Sequence, residues 1–130
     1  MQLTVEGRAV FAGTGGLPFD PARPAIVFVH GAGMDHSVWA LLARYFAHRG
    51  RAVLAVDLPG HGRSDGAPLE SVEALADWLL GLLDAAGLES AALAGHSLGS
   101  LVALETAARA PGRVRALALL ASAPLMPVNA

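Results

Sequence analysis

The residues of this 130-residue chain best suited to chemistry lie in Gly95-His96-Ser97-Leu98-Gly99, a serine held between two glycines. A serine hydroxyl attacks a carbonyl carbon when a base takes its proton and nearby N–H groups receive the developing negative oxygen. The string alone is short enough to arise by chance, and its setting gives it weight. It ends the apolar run 91–94 and opens a helical pattern over 98–109, so the serine falls at a strand-to-helix turn. Such a turn strains the serine backbone, lifts the hydroxyl above the sheet and aims the next N–H, that of Leu98, at the same space. The start of the helix adds its positive end. Gly95 and Gly99 leave room for the turn, because a Cβ at either would crowd neighbouring backbone. His96 and Leu98 are expected to point away, into packing. The competing reading makes Ser97 an ordinary helix N-cap and its glycines mere packing residues.

A second candidate segment, His30-Gly31-Ala32-Gly33, follows an earlier strand at its C-terminal end, where open α/β sheets place their ligand crevice. The glycines let the Ala32 N–H face the same point as that of Leu98, giving two donors for an oxyanion, and the small Ala32 side chain leaves space above the serine. His30 precedes the turn and is expected to hydrogen-bond across loops rather than transfer protons. Gly31, Gly33 and Gly60 do not make a phosphate cradle: no Gly-x-Gly-x-x-Gly follows a strand, and the chain has no lysine. Asp57 ends another strand, before the turn-rich Leu58-Pro59-Gly60-His61-Gly62-Arg63-Ser64-Asp65-Gly66. Asp57, His61 and Asp65 lack a recognised metal-site spacing. Asp57 is instead expected to accept backbone N–H bonds, with Arg63 bracing the loop. No metal or cofactor is expected. Met34, Trp39 and Leu125 are candidates for lining the substrate entrance, and each serves equally well as packing.

The elements that must position these residues follow from the apolar pattern. Residues 2–5 and 8–12 read as a hairpin around Glu6-Gly7, and 14–23 as a loop. Residues 25–29, 52–56, 91–94 and 114–120 are short apolar runs without polar alternation, as in strands covered on both faces. Helices are expected over 36–48, with Val38, Leu41, Leu42, Tyr45 and Phe46 on one side, over 71–86 with Ser71 as N-cap, and over 98–109. Gly50 and Gly87 stand where left-handed C-terminal caps belong. Strands alternating with helices over short links predict right-handed crossovers in a parallel sheet, within one domain.

Composition bounds the remainder. With 54% apolar residues the chain can bury one core. A net charge of -2, with no arginine cluster, gives no footprint for nucleic acid. Zero cysteines exclude disulfides and thiol chemistry. No apolar stretch reaches membrane-spanning length and the start does not look like a secretory signal, so a soluble, cytoplasmic protein without membrane contact is expected.

Taken together, the oxyanion segment 30–33, the loop Asp57-Leu58-Pro59-Gly60-His61-Gly62-Arg63-Ser64 and the elbow 95–99 resemble the α/β-hydrolase fold family, in family order and over nearly the whole chain. One departure is Ser100, where the family often has another glycine. Serine at the nucleophile position argues against the dehalogenase and epoxide-hydrolase relatives. The resemblance implies a mostly parallel, doubly wound α/β sheet, here truncated after about the sixth strand. Residues 1–121 would be the N-terminal portion of one domain and 122–130 the start of a cap insertion. It implies a serine hydrolase of ester, amide or related carbonyl substrates. The acid and general-base histidine would come from the remainder of the same protein or from a complementing chain. The alternatives are a noncatalytic binding or interaction module on the same fold, and a lone half-domain used as an assembly piece.

Overall fold

The computed structural model describes residues 1–120. Six strands form one sheet: β1 (Gln2–Val5), β2 (Arg8–Gly13), β3 (Ala25–Val29), β4 (Ala52–Val56), β5 (Ala91–His96) and β6 (Val114–Leu120), in the spatial order β1-β2-β4-β3-β5-β6. The first two make an antiparallel hairpin, whose turn residues Glu6 and Gly7 both take positive φ, 52° and 78°. That geometry matches the right-handed twist of the strands it joins. β2 then runs antiparallel to β4, and β4, β3, β5 and β6 are mutually parallel.

The helices cover both faces, as a continuous apolar run in each central strand requires. Val27, Val29, Leu54, Val56 and Leu93 face one layer, where they pack with α2 (Val72–Ala85) and α3 (Leu98–Arg109). Ile26, Phe28, Val53, Ala55 and Ala94 face the other, against Trp39, Ala43 and Ala47 of the segment that carries α1 (Ala40–Ala47). Caps close these helices. The Ser71 hydroxyl accepts the Ala74 N–H at 3.0 Å, and Gly87 at φ 73° lets the Leu88 N–H return to the Leu83 carbonyl. Gly50 does the same for α1, with Arg51 N–H on the Phe46 carbonyl.

The expected helix over 36–48 differs in two respects. It opens as a 3-10 turn at His36–Trp39, where the Asp35 carboxylate accepts the N–H and hydroxyl of Ser37, and becomes α-helical only at Ala40. Of the side expected to be buried, only Phe46 packs against the core. Val38, Leu41, Leu42 and Tyr45 are exposed, Leu41 by 84%, while Trp39, Ala43 and Ala47 are buried. The sheet beneath presents the bulky Phe28, whose ring lies 4.9 Å from that of Trp39 and 6.2 Å from that of Phe46, and the small Ala43 and Ala47 fill the space between helix and sheet. Among the described residues, no helix is long and apolar enough to cross a membrane. β6 lies at the edge of the sheet with Leu117, Leu119 and Leu120 exposed.

Candidate active site

Ser97 has φ 57° and ψ -118°, a conformation that costs an L-residue about 1–3 kcal/mol and persists only when its surroundings enforce it. The surroundings are glycines. A Cβ on Gly95 would overlap the Gly99 carbonyl, and one on Gly99 would overlap the carbonyl of Val29. The elbow therefore sits directly on β3, closer than any other residue type allows.

Ser97 occupies the N-cap position of α3, yet its side chain makes no capping hydrogen bond. Its backbone is held instead. The Ser97 N–H donates to the Leu120 carbonyl at 3.2 Å, and the Ser97 carbonyl accepts the Ser100 N–H at 2.9 Å and the Ser100 hydroxyl at 2.6 Å. Ser100 is buried, and its hydroxyl supplies the elbow with a hydrogen bond that a glycine there would lack.

The segment 30–33 comes against the serine. A Cβ on Gly31 would stand 3.2 Å from the Cβ of Ser97 and 3.4 Å from the sulfur of Met34. Gly33 takes φ 75°, open to solvent on its Cβ side. Ala32 is exposed, and Leu98 is partly buried against the core. His30 is wholly buried. Its Nδ1–H donates to the Gly31 carbonyl at 2.7 Å and its Nε2 accepts the Leu58 N–H at 3.0 Å. Burial, ahead of its other contacts, holds the His30 pKa below the usual histidine value, so the ring is neutral.

Asp57 is also wholly buried and its carboxylate accepts three bonds: the His36 N–H at 2.7 Å, the His36 Nδ1 at 2.9 Å and the Arg63 N–H at 2.9 Å. The Arg63 guanidinium lies over the Phe11 ring. The groups that assemble around Asp57 are Asp35 and His36, already bonded within the cluster and to the backbone, rather than His61 and Asp65.

A cavity of about 250 Å3 opens beside the elbow, walled by Met34, Val38, Trp39, His96 and Leu120. Met34 and Trp39 are two of the three candidates for the substrate entrance, and the third, Leu125, lies outside the described residues. His96, expected to point away into packing, is half-buried and also forms part of this wall. Period-two alternation along β5 carries the signal, since it puts His96 on the same face as Ala92 and Ala94, the face of α1. The Nδ1 of His96 and the Nε1 of Trp39 are both buried without a partner among the described residues.

The sequence matches the alpha/beta hydrolase fold family over residues 24–130. It is 42% identical over 114 residues to the dihydrolipoyllysine-residue acetyltransferase component of the acetoin cleaving system of Pseudomonas putida, covering 87% of this chain and 29% of that protein. It is 41% identical over 105 residues to a pimeloyl-[acyl-carrier protein] methyl ester esterase of Methylococcus capsulatus, covering 78% of this chain and 38% of the esterase. The chain thus spans about a third of the length of these curated relatives. Among solved structures, a CIB-like hydrolase of Thermoplasma acidophilum superposes with a TM-score of 0.82 at 25% identity, over 92% of this chain and 60% of that one.

Proposed function

The chain belongs to the alpha/beta hydrolase fold family, and from that premise we propose that Ser97 is the nucleophile of a serine hydrolase acting on an ester, amide or related carbonyl substrate. The observation that carries the reading is the strained Ser97, held by glycine contacts at the start of α3 with its hydroxyl left out of the cap. A fold maintains such strain where it serves a site. The methyl ester esterase among its relatives supports an ester substrate.

In this mechanism a base takes the Ser97 proton as the oxygen attacks the carbonyl carbon. The N–H groups of Ala32 and Leu98 receive the oxyanion, the leaving group departs, and water attacks the acyl-enzyme. His30, Gly31, Gly33, Asp57, Gly95 and Gly99 hold this arrangement, and Met34 and Trp39 line the substrate side. The base is not among the described histidines. His30 and His61 have both ring nitrogens in hydrogen bonds, His36 faces Asp57, and the Nδ1 of His48 is bonded to the Arg44 carbonyl. His96 adjoins Ser97 in the elbow and cannot swing round to it. The proposal therefore assigns acid and base to a further part of the protein, or a complementing chain, seated beside the apolar edge strand β6. The greater length of the relatives supports this.

A fluorophosphonate probe tests the reading on the complete protein. The expected result is one covalent adduct on Ser97, absent in Ser97→Ala. A folded complete protein that takes no label would instead be a noncatalytic binding module on the same scaffold.

A further inference from the structure

Two histidines on different loops each spend both ring nitrogens joining the segment 30–33 to the loop that follows β4. His30 donates from Nδ1 to the Gly31 carbonyl and accepts the Leu58 N–H at Nε2. His61, half-buried, donates from Nδ1 to the Pro59 carbonyl at 3.0 Å and accepts the Gly33 N–H at Nε2 at 3.1 Å. A backbone N–H can only donate, so Nε2 of each ring is an acceptor and the single ring proton sits on Nδ1. The two rings lie 5.0 Å apart.

This pattern bears on the two peptide planes that flank Ala32. A trans peptide is planar, so its C=O and N–H point in opposite directions. The Gly31 carbonyl is drawn one way by His30 Nδ1–H and by the Met34 N–H at 3.2 Å. The Ala32 N–H, at the other end of the same plane, is therefore turned the opposite way, and it has no hydrogen-bond partner among the described residues. The next plane, between Ala32 and Gly33, is held at its N–H end by His61 Nε2. Each plane is thus anchored by one imidazole, and both imidazoles are anchored in the same neighbouring loop.

We propose that His61 is a positioning residue: with His30 it clamps the turn at Ala32 so that the Ala32 N–H, and not that of Gly33, is presented to the oxyanion above Ser97. This rests on the reading of Ser97 as a nucleophile. His30 is enclosed in the core and serves the fold as well. His61 lies at the rim, so its removal separates the clamp from the core.

The test uses the complete protein, a short-chain p-nitrophenyl ester as probe, and the variants His61→Leu and His61→Gln. Leucine has no acceptor for the Gly33 N–H, whereas the glutamine amide oxygen reaches the place of Nε2. His61→Leu is expected to lower kcat about 10- to 100-fold with KM within twofold, because an oxyanion donor acts in the transition state and not in substrate binding. His61→Gln is expected to recover most of that loss. Independently of activity, nitrogen-nitrogen scalar coupling across the hydrogen bond between Gly33 and His61 Nε2 is expected in the wild type. Absence of that coupling, or a His61→Leu enzyme with kcat within twofold of wild type, overturns the proposal. If the coupling is present but Ser97 takes no fluorophosphonate in the wild type, the nucleophile reading has failed, and the purpose assigned to the clamp fails with it.

Discussion

The carboxylate of Asp57 holds His36 twice, accepting its backbone N–H at 2.7 Å and its ring Nδ1 at 2.9 Å, and so ties the end of β4 to the turn that starts α1. The same residue's carbonyl accepts the Ser64 hydroxyl at 2.6 Å, and the Ser64 oxygen in turn accepts the Phe11 N–H at 3.0 Å. The side chain and the carbonyl of one buried residue, with Ser64, therefore link three segments distant in sequence. Asp57→Ala removes the acceptor of the part-buried N–H groups of His36 and Arg63, and is expected to cost about 2–6 kcal/mol, at about 1–3 for each of the two groups. Urea denaturation measures this, and a loss under about 1 kcal/mol would contradict the account.

Gly99→Ala places a methyl group into the Val29 carbonyl and within 2.8 Å of that of His30. These are backbone atoms and cannot rotate aside, so α3 must move off β3. A loss of at least about 1–3 kcal/mol is expected, together with slower labelling of Ser97 because the elbow moves with the helix. A variant with wild-type melting temperature and labelling rate would show that the close approach does not matter.

His30 predicts how stability changes with pH. Its folded-state pKa lies below the ordinary 6.5, chiefly through burial, so the unfolded chain binds a proton more readily than the folded one. Its contribution is therefore fully present above about pH 6.5 and is lost as pH falls below that value. Denaturation curves between pH 5 and 8 are expected to show this fall, and His30→Gln, though less stable at pH 8, is expected to show a shallower one. Identical slopes would remove His30 as the cause.

The two sides of α1 predict opposite tolerance. Ala43 is buried against the sheet, and Ala43→Leu is expected to cost about 1–3 kcal/mol by overpacking. Leu41 is 84% exposed, and Leu41→Gln is expected to change stability by no more than about 0.5 kcal/mol. Thermal melts of the two variants decide which side faces the core.

These cases separate what local sequence encodes from what it leaves open. The bounds of β3, β4 and β6, the hairpin turn at Glu6 and Gly7, and the stops at Gly50 and Gly87 were all legible. In each, the deciding interaction lies within a few residues: a β-branched run, a positive φ, or a cap returning to its own helix. The elbow was legible in part for the same reason: Gly95 crowds against Gly99 within the turn itself, whereas the crowding at Gly99 comes from the distant carbonyls of Val29 and His30.

What the tertiary structure alone decided involves partners far apart in the chain. Helical spacing over 36–48 ranks leucine above alanine as a core residue, but the space left by Phe28 and Trp39 reverses that order. His61 looked like one turn residue among several, since nothing near it in sequence says that its Nε2 meets the N–H of Gly33, 28 residues earlier. Ser97 unites the two cases. By itself the sequence determined a serine in a tight strand-to-helix turn, because the contact of Gly95 with Gly99 is local to that turn. Only the packing of β3, β4 and β5 side by side decided which backbone N–H groups and which imidazoles surround it, because register and loop contact are properties of the assembled sheet.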